Sequence, residues 1–270
     1  MKVLALASGS SGNAYLVSEG DTSLLVEAGL PPNRLEDLLA SVSIDPLSLT
    51  AILLTHAHAD HAQGARALSD SLELPIYASP GTLGHQSLRD GRQLRAIQPG
   101  ASFRIGDVEI AVFRVPHDCA EPVGFRISGS DATMALLTDL GVVPNDILPW
   151  LHALDLLVIE ANHDERMLWS GPYPATLKQR VGSLQGHLSN EAAAQCVLAL
   201  GDGAPREIWL AHLSLVNNEM ALALQTVRSR LLAVDRGRVP VKAAGRNSPS
   251  LRWDSSYRLE QQLDLFPAIR

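Results

Sequence analysis

Cysteine is nearly missing from this chain: there are two in 270 residues, Cys119 and Cys196, too far apart to make a pattern. That excludes a disulfide scaffold and a thiolate zinc knuckle, and it fits a reducing compartment, with the cytoplasm as the expected location. Aromatic residues are scarce as well, at 4%, so Val, Leu, Ile and Ala have to fill the core. No apolar run approaches the ~20 residues that a membrane helix needs, so no membrane partner is expected. The apolar opening from Met1 to Ala7 is too short for the h-region of a signal peptide and reads as a strand. Excess positive charge is lacking too: 22 Lys and Arg stand against 29 Asp and Glu, a net −7. That disfavours a broad basic face for gripping nucleic acid. A nucleic-acid substrate would have to be held locally, by metal ions and a few cations.

What is present is ordinary for a soluble globular chain: 46% hydrophobic and 19% charged residues, enough for one large domain or two small ones. Short apolar or alternating runs predict strands over residues 3–7, 14–17, 23–27, 51–54, 108–115, 123–128 and 133–137. Helical spacing of Leu35, Leu38 and Leu39 predicts a helix over 31–41, and another follows over 61–72. From residue 155 the pattern becomes strand then helix: strands at 156–160 and 206–211, and helices at 189–200 and 217–232, each opened by a Ser or Asn cap. Two sheets sandwiched between helices are expected. Beyond about Pro249 the chain turns polar and is expected to leave the core. The predicted organisation is thus a domain over 1–250 and a polar tail over 251–270.

The chemistry concentrates at the end of the fourth predicted strand, in Thr55-His-Ala-His-Ala-Asp-His61. Four potential ligands, His56, His58, Asp60 and His61, lie within six residues on a turn, which can converge side chains that a helix or strand would spread out. Imidazole and carboxylate suit borderline divalent metals. Three more candidates each end an apolar run: His117 in Pro116-His-Asp118, Asp139 in Thr138-Asp-Leu-Gly141, and His212 in Leu210-Ala-His-Leu-Ser214.

Together these segments resemble the signature of the metallo-β-lactamase superfamily, whose fold is a four-layer αβ/βα sandwich of the α/β class. The resemblance implies that His56, His58 and His117 hold one divalent ion, that Asp60, His61 and His212 hold a second, and that Asp139 bridges the two. Zinc is the first expectation, and manganese and iron accept the same ligands. Two such ions activate a shared bridging hydroxide and stabilise attacking and leaving oxygens, which suits phosphodiester hydrolysis. Lactamases of this fold carry a cysteine where this chain has Asp139, so a β-lactam substrate is not expected.

Further segments, Ser8-Gly-Ser-Ser-Gly-Asn-Ala14, Asp118-Cys-Ala-Glu-Pro-Val-Gly-Phe125, Glu160-Ala-Asn-His-Asp164 and Gly186-His-Leu-Ser-Asn190, resemble the YycJ (WalJ) branch, bacterial proteins related to nucleases of the superfamily. By that resemblance His187, just before a helix N-terminus, is a general acid or a holder of the scissile phosphate; its other reading is a helix cap. His163 either contributes to catalysis, by orienting a ligand or touching substrate, or is structural. His85 and His152 carry no motif and are expected on the surface. Asn13, Ser11 and Asn162 are substrate-binding candidates. Between His163 and His187 lies an insertion with Arg166, Trp169, Tyr173, Lys178 and Arg180. It is expected to wall the site. Lys178 and Arg180 either grip phosphates or sit on a solvated surface.

Near the C-terminus, Gln262-Leu263-Asp264-Leu265-Phe266 resembles the pentapeptide by which bacterial polymerases and repair proteins bind the DNA sliding clamp. The alternative is that its apolar side chains pack back on the domain. Three functions follow in order of fit: a di-metal phosphodiesterase acting on nucleic acid, foremost a DNA exonuclease of replication or repair; a small-molecule hydrolase of a cyclic phosphodiester, lactone or thioester; and a non-catalytic clamp-binding accessory.

Overall fold

Side-chain alternation sets the layers of this fold. The structure, a computed structural model, describes residues 1–256. Its strands in chain order are β1 (Lys2–Ala7), β2 (Ala14–Glu19), β3 (Thr22–Val26), β4 (Ala51–Leu53), β5 (Ile76–Ala78), β6 (Leu94–Ala96), β7 (Ser102–Ile105), β8 (Val108–Arg114), β9 (Val123–Ser128), β10 (Thr133–Leu137), β11 (Leu156–Glu160), β12 (Glu207–Ala211), β13 (Val241–Ala243) and β14 (Leu251–Asp254). Its helices are α1 (Pro32–Ser41), α2 (Ala59–Ala62), α3 (Ala65–Leu72), α4 (Pro80–Leu83), α5 (Glu165–Ser170), α6 (Ala175–Val181), α7 (Asn190–Ala199) and α8 (Met220–Leu232).

The strands form two seven-stranded sheets, ordered β14-β1-β2-β3-β4-β5-β6 and β13-β12-β11-β10-β9-β8-β7. Successive strand residues face opposite ways. Leu156 and Val158 of β11 therefore enter the cluster between the sheets, with Val3, Tyr15, Phe125 and Trp209. Leu157 and Ile159 enter a second cluster, against Ala193 and Val197 of α7 and Val227 and Leu231 of α8. On the far side, Leu6 and Leu25 pack against Leu35, Leu38 and Leu39 of α1 and Leu68 of α3. Both faces of the central strands are covered, which is why they read as continuous apolar runs. The order is helix, sheet, sheet, helix, the four-layer sandwich expected.

Strands β10, β11, β12 and β13 pair in parallel, and β8 runs with them because it is antiparallel to β9, itself antiparallel to β10. Their C-terminal ends gather on one edge, the place where ligands bind in open α/β sheets.

Three expected boundaries need correction. The helix expected over 61–72 is two, α2 and α3, joined at Gly64, whose N–H donates to the Ala28 carbonyl. A Cβ at Gly64 would collide with the Leu30 carbonyl, so the chain is pressed against its neighbour and breaks there. The helix expected from Asn217 starts at Met220, because the neighbouring Asn218 spends its side chain on the Ala161 and Asn162 carbonyls. The chain also stays in the sandwich past residue 250. Strand β14 pairs antiparallel with β1, and Trp253 is buried between the sheets. Four alternating residues in a polar context were too short a signal. Among the described residues no helix is long and apolar enough to cross a membrane. The tail residues Gln262, Leu263, Leu265 and Phe266 lie outside the described residues.

Candidate metal centre

The strand ends bring all seven expected ligands together. The turn after β4 carries His56, His58, Asp60 and His61; β8, β10 and β12 deliver His117, Asp139 and His212. Donor atoms of His56, His58 and His117 lie within 4.8 Å of one another, as do those of Asp60, His61 and His212. Within the first group His58 Nδ1 is 3.2 Å from His117 Nε2, and within the second His212 Nε2 is 3.2 Å from Asp60 Oδ2. Donors of a tetrahedral site with ~2.0–2.1 Å bonds stand about 3.3 Å apart, so both spacings fit a divalent ion. Asp139 sits between the groups, with Oδ2 2.9 Å from His61 Nε2 and Oδ1 3.9 Å from His117 Nε2.

One buried atom argues the same way. His56 Nε2 has no hydrogen-bond partner, a costly state that a cation shared by the group would relieve. Asp139 and His212 also adopt left-handed backbone, φ 59° and 53°. Such conformations are uncommon outside glycine and collect at functional sites.

The remaining ring nitrogens are held from behind. His117 Nδ1 donates to the Gln185 and Gly186 carbonyls, 3.1 Å each, which leaves Nε2 as the donor to an ion. His56 Nδ1 meets Thr55 Oγ1 at 2.8 Å, and His61 Nδ1 lies 3.5 Å from Glu27 Oε2. His212 Nδ1 and His187 Nδ1 each lie 2.8 Å from the same atom, Glu160 Oε1. The other oxygen of Glu160 accepts from the Leu140 and Leu188 N–H groups, both 3.1 Å away.

Charge divides the cluster. Burial pushes His56, His58, His61, His187 and His212 down, and His56, facing His61, His117 and His58, falls well below its ordinary value. Against the same burial, Asp139 and Glu27 raise His61, Glu160 and Asp139 raise His187, and Asp139 with Asp60 and Glu160 raises His212 to about 9. Asp139 stays well below the usual carboxylate range despite burial, through His212 and His61. Glu160, also buried, is brought down to about 2, chiefly by His187. In the metal-free chain protons rest on His61 and His212, the two ligand histidines raised beside Asp139, and a divalent ion held by those rings would take the protons' place.

A cavity of about 320 Å³ opens over these groups, lined by Ser10, His58, Asp60, Asp118, Asp139, Leu177, Arg180, Val181, Gly186, His187 and His212 among others. The insertion forms one wall through α6. Of its expected cations, Arg180 reaches the cavity and pairs with Asp118, Nε to Oδ2 2.5 Å. Lys178 does not; its amine donates to the Trp169 carbonyl. Neither Arg166 nor Tyr173 lines the cavity.

Other expectations are revised by burial. Asn13 is fully buried, accepting from Gly9 N–H, donating to the Asp60 carbonyl and lying 3.1 Å from His61 Nε2; it shapes the ligand turn. Asn162, also buried, donates to the His212 carbonyl at 2.9 Å. Ser11, by contrast, is exposed, and its hydroxyl donates to Asn247 Oδ1. His163 is buried, kept neutral by that burial, and belongs neither to the ligand groups nor to the cavity wall. Its carbonyl receives the Asn190 N–H, which anchors the start of α7. Its ring is buried, with Nδ1 lacking a hydrogen-bond partner, and does not line the cavity. His85 and His152 are exposed, as expected. Burial pushes the Cys119 and Cys196 thiols up to about 12, so neither is a nucleophile near neutral pH.

Glu27, Glu160 and Ser8 were missed. Each carboxylate ends an apolar strand run, the same signal that marked His117 and Asp139, and a charge there needs a reason. Ser8 Oγ accepts from the His212 N–H at 2.9 Å; nothing in the sequence signals it.

Comparison with known proteins agrees with this geometry. Residues 28–213 match the family described as "Beta-lactamase superfamily domain". A Streptococcus pneumoniae protein named "Exodeoxyribonuclease WalJ" is 36% identical over 244 residues, 87% of this chain and 90% of its own length. A Bacillus anthracis protein named "Exodeoxyribonuclease YycJ" is 35% identical over 226 residues, covering 82% and 86%. The crystal structure of the metallo-β-lactamase fold protein YhfI from Bacillus subtilis superposes with a TM-score of 0.69 at 21% identity, covering 94% of this chain and 99% of that one.

Proposed function

The chain belongs to the metallo-β-lactamase-fold superfamily, on the side of its WalJ- and YycJ-like members, and from that premise we propose that it is a di-metal DNA exonuclease of replication or repair. The relatives' names supply the substrate class. The observation that carries the chemistry is His187: it lines the cavity beside the ligand set, 3.3 Å from Asp139 Oδ1, with Nδ1 committed to Glu160.

Two divalent ions, zinc first and manganese or iron next, supply when bound an activated water and positive charge for the phosphate oxygens. His56, His58 and His117 would hold one, Asp60, His61 and His212 the other, and Asp139, between the two groups, would serve both. The protein's own groups do the rest. Glu160 and Asp139 keep His187 protonated near neutral pH, and with Nδ1–H donating to Glu160 the Nε2–H is the proton for the leaving oxygen. Among the described residues Arg180 is the one guanidinium or ammonium group on the cavity wall, and it takes a phosphate oxygen in exchange for Asp118. The tail Gln262-Leu-Asp-Leu-Phe266 binds the sliding clamp, offsetting the weak attraction between an acidic chain and DNA.

A second reading, hydrolysis of a small phosphodiester, lactone or thioester, is favoured by the modest cavity, near the lower bound for ligand sites. The deciding experiment offers metal-loaded protein labelled double- and single-stranded DNA, RNA and bis-p-nitrophenyl phosphate. DNA degradation abolished by Asp60→Ala supports the nuclease. Turnover of the small ester alone sinks it.

A further inference from the structure

Away from the metals, two arginines stand where an acidic protein has few to spare. Arg34, exposed in the first turn of α1, donates from Nη2 to the Asn247 carbonyl at 2.8 Å. Arg246, half-buried, donates from Nη2 to the Ser214 carbonyl at 2.6 Å, and its buried Nε has no acceptor within the chain. Like Arg95, Arg104, Arg126 and Arg228, neither arginine pairs with a carboxylate among the described residues; these two differ from the others in their place beside the loop that enters the metal cavity.

Both are tied to the loop that enters the metal cavity. Ser11 Oγ donates to Asn247 Oδ1 at 3.2 Å, and Ser10, its neighbour, lines the cavity. Gly9 has φ +144°, and a Cβ there would lie 3.4 Å from Arg246 Cγ, so the bare glycine leaves room for the arginine stem to lie along the loop. Ser10, Ser11 and Asn247 are all exposed. Hydroxyl, amide and guanidinium groups thus lie side by side next to the cavity that Ser10 lines.

We infer that Ser10, Ser11, Arg34, Asn247 and Arg246 form a docking strip for backbone phosphates of the nucleotides flanking the scissile bond. The inference rests on the nuclease reading above and adds where the rest of the strand lies. Hydroxyls, amides and arginines without acidic partners are the donors that hold phosphates without reading sequence. A chain of net charge −7 needs such local cations, since its overall field repels the polymer.

The test compares wild type, Arg34→Ala, Arg246→Gln and the double variant, each with metal content measured. The substrates are a single-stranded oligonucleotide and bis-p-nitrophenyl phosphate, which is too short to span the strip. Two quantities are read: the ratio of kcat/KM for oligonucleotide over small ester, and the slope of log kcat/KM against log salt. The strip predicts that the ratio falls several-fold with each substitution, and that the salt slope shrinks by about 0.7 for each phosphate left without its arginine. An unchanged ratio and slope in a wild type that degrades DNA overturns the strip and leaves the nuclease reading standing. Equal losses on both substrates also overturn it, because the arginines then act on the metal site. A wild type that hydrolyses only the small ester overturns the nuclease reading, and the strip with it.

Discussion

His212 Nδ1 stands 2.8 Å from Glu160 Oε1, so one nitrogen of a metal ligand is committed to a buried carboxylate. That contact fixes the ring and leaves Nε2, beside Asp60, for the ion. Glu160→Gln keeps the shape but removes the charge. Metal affinity and bis-p-nitrophenyl phosphate turnover should each fall roughly 10–100-fold. Unaltered metal affinity in a dialysis titration would contradict the role.

His187 should behave as an acid rather than as a ligand. His187→Ala is expected to retain both metal ions while kcat on DNA drops by about 10²–10⁴. The loss on bis-p-nitrophenyl phosphate should be much smaller, because p-nitrophenolate departs without a proton. Equal losses on the two substrates would remove the acid role.

Strand β14 makes residues past 250 part of the fold. Trp253 is 9% exposed and packs between the sheets. Trp253→Ala should cost about 3 kcal/mol in urea unfolding. A midpoint matching wild type would show that the strand is dispensable.

Glu19 links the two sheets. Its Oε1 accepts from the Ser130 N–H and hydroxyl at 2.9 and 2.5 Å, and its Oε2 lies 2.7 Å from the Met1 ammonium. Against the upward push of burial, the ammonium and Ser130 lower its pKa from 4.5 to about 2. A depressed carboxylate stabilises above its ordinary pKa, so the contribution is complete above about 4.5 and disappears as pH falls toward 2. Glu19→Gln should lose on the order of 2 kcal/mol at pH 7 and converge with wild type near pH 2. A pH-independent difference would show that the ion pair is not its source.

A peptide of residues 257–270 should bind a bacterial sliding clamp, and Leu265→Ala with Phe266→Ala should abolish binding. Fluorescence anisotropy reads it directly. No affinity in the unsubstituted peptide ends the clamp proposal.

The ligand turn was legible in the chain because four imidazole and carboxylate side chains crowd into six residues after one strand. His117, Asp139 and His212 were legible only through the resemblance to the superfamily signature, since a lone His or Asp at a strand end is a weak signal by itself. The two-sheet architecture was legible because strands buried on both faces show as unbroken apolar runs. What the linear pattern does not contain is which polar atoms meet. Glu160 looked like the last residue of a strand until the parallel register of β11 and β12 set it beside His212. Asn13 and Asn162 looked free to reach a substrate until burial committed their amides to the Asp60 and His212 carbonyls. Trp253 looked like tail until β1 offered it an edge. Periodicity is a property of neighbours in the chain and can be read there. Burial, register and the pairing of charges depend on residues tens to hundreds of positions apart, and only the folded packing decides them.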